Sequence, residues 1–137
     1  PPVNRIVIPR IELDSSVIQV STKVERGELV WQTASNAVGH HQGTADPGEV
    51  GNIVLSGHIR SLREGMVFNR LPELAPGDAI YLYSELGKFR YKVVETKVVL
   101  PTAIWVMDPT PDPTLTLITC VPDWVYSHRL IVTAKPY

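Results

Sequence analysis

Twelve prolines and nine glycines cut this chain into short apolar runs, and sustained helical periodicity is scarce between them. The runs are rich in Val, Ile, Thr and Tyr, residues that suit a pleated surface. "RIVIP" (5–9) and "SSVIQVS" (15–21) are predicted strands joined by "RIELD". "GELVWQT" (27–33), "NIVLSG" (52–57), "AIYLYS" (79–84), "LTLIT" (115–119) and "RLIVTAK" (129–135) follow the same pattern. The run 52–57 is nearly all apolar, as expected of a central strand covered on both faces. In "FRYKVVETKVVL" (89–100), Phe89, Tyr91 and Val93 share one face, and the apolar set then shifts to Val94 and Val98. Such a change of phase predicts a bulge or a bend, as in a strand that curls around a barrel.

Between the strands, 34–51 reads as a polar loop with one helical turn. "SLREGMVFNRLPEL" (61–74) carries Met66, Val67 and Leu71 at roughly helical spacing and is the best helix candidate. Pro-Gly in "APGD" (75–78) marks a turn. The segment 101–114 holds four prolines and reads as a long irregular loop, a type that is often functional. The sum is an all-β domain over residues 1–137, an eight-stranded barrel with one or two short helices.

Composition narrows the function. The formal net charge is −1, against the basic excess of a nucleic-acid binder, so no nucleic-acid partner is expected. No apolar run reaches the roughly 18 residues of a membrane span. The chain opens "PPVNR", without Met or a signal-like segment, which reads as a processed or trimmed protein from which an N-terminal anchor has gone. A single cysteine rules out a disulfide framework and a Cys-rich zinc site.

That cysteine, Cys120, falls where a strand is expected to run out into "VPDW". A lone cysteine is most simply a small buried hydrophobe. As a nucleophile it must be a thiolate, with a base or a cation beside it. His58 follows a strand in "VLSGHIR", and Gly57 before it permits close approach of backbone or substrate. Arg129 opens the final strand; an ordinary ion pair is the simpler reading of it. If 115–119 and 129–135 pair as antiparallel neighbours, Cys120 and Arg129 share a rim, and His58 joins them if 52–57 ends there too. His40, His41 and His128 read as solvated loop or surface histidines, and Asp123 as a turn-capping carboxylate.

"TLITC" with an Arg nine residues on, behind "PGEVGNIVLSGH" and "FNRLPELAPGD", closely resembles the sortases, bacterial cysteine transpeptidases. The likeness covers nearly the whole chain. It implies the sortase-type β-barrel, with His58, Cys120 and Arg129 as the catalytic set. It implies cleavage of a Leu-Pro-x-Thr-Gly-like sorting signal between Thr and Gly through a thioester. The acyl chain then passes to an amine of a cell-wall precursor or pilin subunit. Partners would be surface proteins bearing a C-terminal sorting signal. The setting would be the outer face of the bacterial membrane, with the full-length protein tethered by one N-terminal helix. Within the family the short chain looks most like classes D or E, with class A next. Thr119 is expected to contact substrate. Leu55, Ala103, Ile104 and Val106 are candidate walls of a groove for Leu-Pro, with plain packing as the equal alternative, and Trp105 and Trp124 stand near it. No cofactor and no obligatory metal are expected: some sortases use calcium, but Asp46, Glu49 and Asp108 are three scattered acids, and calcium takes six or more oxygens. Rival readings are a β-barrel peptide-binding module with a structural cysteine and a hydrolase that releases the acyl group to water. An L,D-transpeptidase lacks support, since its Ser-x-Gly-Cys context is missing.

Overall fold

Alternation of apolar and polar side chains builds the strands, and closure of the sheet gives the apolar set one interior. In the strand Ala79–Ser84, Ile80 and Leu82 are buried while Tyr81 and Tyr83 are half-exposed. A computed structural model of the chain describes residues 1–31, 36–59, 65–121 and 127–137. Its strands are β1 (Arg5–Ile8), β2 (Leu13–Val20), β3 (Thr22–Glu25), β4 (Glu28–Trp31), β5 (Val38–His41), β6 (Asn52–Ser56), β7 (Ala79–Ser84), β8 (Gly87–Val99), β9 (Thr114–Val121) and β10 (His128–Pro136). Eight of them close a barrel in the order β1-β2-β5-β6-β9-β10-β8-β7, so the expected eight-stranded barrel is present. Two contacts in the ring are parallel, β2 with β5 and β6 with β9; the rest are antiparallel.

The interior holds Ile6, Ile8, Ile53, Leu55, Ile80, Leu82, Leu115 and Leu117, with Phe68 and Leu71 plugging it. Each such side chain contributes roughly 1.5–3 kcal/mol on burial. A second, smaller apolar cluster lies on the outside of the barrel. Val54, Ile118 and Ile131 face outward from the neighbouring strands β6, β9 and β10, and Val106 covers them with Ala103 and Met107 at its edge. The irregular segment after β8 supplies that cover through a 3₁₀ turn, Ile104–Met107.

The bulge expected in the long strand is present. Thr133 of β10 faces Glu95 and the next residue, Ala134, faces Val93, so Val94 is the extra residue. Other expectations are corrected. The helix expected over 61–74 is absent from its described part: residues 65–70 form turns and an isolated bridge, and a 3₁₀ turn, Leu71–Glu73, follows. Residues 61–64 lie outside the described set. The region 34–51 is not wholly loop, because β5 is a full barrel strand. The run after β2 contributes β3, which pairs with β4 as a hairpin outside the ring. Its two turn residues, Arg26 and Gly27, both have positive φ (54° and 78°), as a tight two-residue hairpin of this hand demands.

Candidate active site

Cys120 lies within β9, not beyond it, and its register decides its surroundings. In the antiparallel pair β9–β10, Cys120 stands directly opposite Arg129. Side chains so placed share a face, with Cβ atoms roughly 4.5–5.5 Å apart. Ile118 and Ile131 belong to the outer cluster, and Cys120 and Arg129 lie two residues from each along their strands. The thiol and the guanidinium are therefore on the outside of the barrel, just past the end of an apolar strip. Cys120 is partly exposed.

His58 reaches the same level from the other side. β6 runs parallel to β9, with Ser56 opposite Ile118. Two further residues along each chain bring His58 level with Cys120. Three hydrogen bonds hold this exit from β6. Gly57 N–H donates to the Ile118 carbonyl at 3.2 Å, Thr119 Oγ1 donates to the Gly57 carbonyl at 2.7 Å, and Phe68 N–H donates to the His58 carbonyl at 2.8 Å. Gly57 is required for a steric reason. A Cβ there would lie 2.7 Å from Val67 Cγ1 and 2.9 Å from Phe68 Cδ2. The close approach expected at Gly57 is thus made by the protein's own 65–70 segment, which seats the backbone of His58.

Burial raises the Cys120 thiol above its ordinary pKa, and the Arg129 cation opposes that rise. The sulfur thus stands beside a positive charge that favours its ionised form against the effect of burial. The arrangement can attack a carbonyl, move a proton and hydrogen-bond an oxyanion.

The remaining expected site residues divide. Val106 is buried in the outer cluster, Ala103 packs against it, and Ile104 on the same turn is 40% exposed, so these three stand beside the strip that leads to Cys120. Leu55 does not: it points into the barrel, fully buried among the main core, so its expected place in the groove wall is corrected. Thr119 also faces inward and is fully buried, its hydroxyl held by Gly57; the structure gives it a role in fixing the loop that carries His58. Trp105 is largely exposed, with Lys97 Nζ 4.6 Å from its ring centre. Asp123 and Trp124 lie outside the described residues. Asp46 and Glu49 share one tight turn, where Asp46 N–H donates to Glu49 Oε1 at 2.9 Å. Among the described residues, no cluster of three or more His, Cys, Asp or Glu is placed to hold a metal ion.

Sequence reasoning missed two kinds of residue. The first is the histidine pair of β5, which is buried rather than solvated. His40 accepts from Gln19 Nε2 at 2.8 Å and donates through Nε2 to the Ala45 carbonyl at 3.0 Å, contacts that a neutral ring satisfies. His41 shares hydrogen bonds with Thr22 Oγ1 through Nδ1 and with Ser56 Oγ, at 2.7 Å, through Nε2. Burial, with the neighbouring His40, pushes the pKa of His41 down to about 4. The second is Asn52. Its Nδ2 donates to the carbonyls of Val106 and Asp108, both at 3.1 Å, and its Oδ1 accepts from Thr116 Oγ1 at 2.6 Å. One buried amide thus pins the covering loop to the barrel. The only advance signal was a polar residue opening an otherwise apolar strand.

Comparison with known proteins agrees with this fold. The Sortase domain family model matches residues 6–137. Sortase A of Bacillus anthracis is 32% identical over 130 residues, a match spanning 95% of this chain and 57% of that protein. Sortase D of Bacillus subtilis (strain 168) is 44% identical over 62 residues, covering 45% of this chain and 29% of the relative. Among solved structures, a lid mutant of Sortase A from Corynebacterium diphtheriae superposes with a TM-score of 0.82 at 30% identity, covering all of this chain and 70% of the other. A Clostridium perfringens Sortase D5 transpeptidase gives 0.79 at 28% identity, covering 99% and 79%.

Proposed function

Because this chain belongs to the sortase family, we propose that it is the catalytic domain of a cysteine transpeptidase working through Cys120, His58 and Arg129. The observation that carries this reading is the register. Cys120 and Arg129 face each other on the outer side of β9 and β10, and His58 leaves β6 at the same level.

In this mechanism a peptide lies extended beside the turn that carries Ala103, Ile104 and Val106, with its scissile carbonyl over the sulfur. His58 takes the thiol proton as Cys120 attacks. The carbonyl oxygen becomes an oxyanion, and Arg129 donates hydrogen bonds to it. Removing one such donor typically lowers the rate by roughly 10²–10³. The imidazolium then protonates the leaving amine, the C–N bond breaks, and a thioester remains on Cys120. An incoming amine attacks the thioester while His58 accepts its proton, and the thiolate departs. The reading extends to a Leu-Pro-x-Thr-Gly-like signal cut between Thr and Gly. The acceptor is an amine of a cell-wall precursor or a pilin subunit, and the place of work is the outer face of the bacterial membrane. No cofactor enters it.

The test is a peptide library varied around Leu-Pro-x-Thr-Gly, incubated with and without an amine nucleophile and read by product mass. The expected products are a thioester on the protein and, with the amine, a transfer product. Release to water at the same rate in both arms would make the protein a hydrolase. Cys120→Ala is expected to abolish the thioester; His58→Ala and Arg129→Ala should each lower turnover by at least the factor above with unfolding unchanged. A Cys120 that reacts with a small methanethiosulfonate only after denaturation would return the chain to the binding-module reading.

A further inference from the structure

The net charge of −1 conceals an uneven distribution. On the outer side of β7 and β8, Tyr81 faces Arg90 and Tyr83 faces Lys88 across the ladder, and Ala79 faces Lys92. β1 adds Arg5 opposite Tyr83, and β10 adds Lys135 directly opposite Lys92. Two lysines in direct opposition are a destabilising choice within a sheet. Asp14 neutralises Arg5 through two hydrogen bonds of 2.8 and 2.7 Å. Lys88, Arg90, Lys92 and Lys135 make no ion pair among the described residues.

Lys135 Nζ donates to Thr114 Oγ1 at 2.7 Å, and the other heads are gathered over aromatic rings. Lys88 Nζ lies 4.1 Å from the centre of Tyr81, Lys92 Nζ 4.6 Å and Arg90 5.5 Å from that of Tyr137, and Arg5 4.8 Å from that of Tyr83. Cation–π contact holds the charges at the surface without cancelling them. The result is a sheet face of tyrosines and uncompensated cations. Tyrosine combines an apolar ring with a polar tip, and that pairing with Lys and Arg matches the water-exposed boundary of an anionic lipid layer.

Its position is equally specific. The face lies on β7 and β8, with Arg5 of β1 at its edge; round the ring of eight, β8 is two places and β7 three from β9, which bears the thiol. Along β10, Lys135 lies six residues from Arg129, about 20 Å at the rise of a strand. Cys120, two strands round from β8 and towards the other end of β10, therefore lies outside the contact face.

We propose that the face formed by Arg5, Tyr81, Tyr83, Lys88, Arg90 and Lys92 docks the domain on an anionic phospholipid bilayer, with Cys120 outside the contact. Docking is independent of the chemistry at Cys120. The probe is vesicles of phosphatidylcholine with about 30 mol % phosphatidylglycerol, set against vesicles of phosphatidylcholine alone, with the 137-residue chain measured by co-flotation. Binding is expected only to the anionic vesicles and should fall steeply between about 0.05 M and 0.5 M salt. Each cation removed should weaken it roughly fivefold, so Lys88→Gln/Arg90→Gln/Lys92→Gln should bind on the order of 100-fold more weakly. Thermal unfolding and peptide turnover should stay at the parent values. If the triple variant fails to fold, the single variants Lys88→Gln and Lys92→Gln carry the same test at fivefold each. Equal binding to neutral vesicles, or unchanged binding by folded variants, overturns the proposal. So does tighter binding to soluble polyphosphate or duplex DNA than to the vesicles, since that identifies a polyanion rather than a bilayer as the partner.

Discussion

At the scale of single residues, the thiol is governed by two opposing influences. Burial raises its pKa and Arg129 lowers it. Removing the cation should therefore move the thiol further up. The expected result is that alkylation of native Cys120 by iodoacetamide rises with pH to a midpoint above the ordinary thiol range, and that in Arg129→Ala the midpoint lies higher still. A midpoint that fell in the variant would show that Arg129 does not act on the sulfur. The pairing of these residues was legible in the sequence, because two consecutive strands with a short connection are usually antiparallel neighbours. His41 was not. A histidine in a Gly- and Asp-rich stretch looks solvated, and its hydrogen-bond partners, Thr22 and Ser56, lie 19 and 15 residues away. Long-range satisfaction of a buried polar group leaves no local trace.

At the scale of elements, the segment 65–70 sets the backbone of His58, and Gly57 is where they meet. Gly57→Ala forces a methyl into Val67 and Phe68. A loss of about 1–3 kcal/mol in urea unfolding is expected, as for other overpacked sites. Turnover should fall through kcat more than through KM, since the displaced group is the proposed proton carrier and the apolar strip is untouched. Equal kcat in a folded variant would separate the segment from the histidine. The same region shows what pattern reading cannot resolve. The run "NIVLS" is buried on both faces, so its alternation is invisible, and Leu55 and Val54 looked interchangeable. Only the loop covering Val54 from outside makes them different. The strand β5 escaped for a related reason: Gly39 leaves space for Val20, whose Cγ2 would lie 2.8 Å from a Cβ there, and such complementarity belongs to packing between strands.

At the scale of the whole molecule, the buried histidines tie stability to pH. His41 stays neutral in the folded protein down to about pH 4, whereas in the unfolded chain it protonates near 6.5. Between these values protons favour the unfolded chain. The share of stability set by His41 is full above pH 6.5, declines as the pH falls, and levels off below about 4. The contribution of His41 over that window is on the order of 3 kcal/mol. Burial also lowers the pKa of His40, which adds in the same direction. Urea unfolding followed from neutral to mildly acidic pH should show this decline, and His41→Gln should show a shallower one even though it begins less stable. An equally steep decline in the variant would assign the acid sensitivity elsewhere.

The parallel contact of β6 with β9 joins positions such as Ser56 and Ile118, more than sixty residues apart in the chain. Closing so large a loop carries an entropic cost that a hairpin avoids. Until that seam forms nothing holds His58 beside Cys120, so the chemistry proposed for the two belongs to the closed barrel and not to any one hairpin within it.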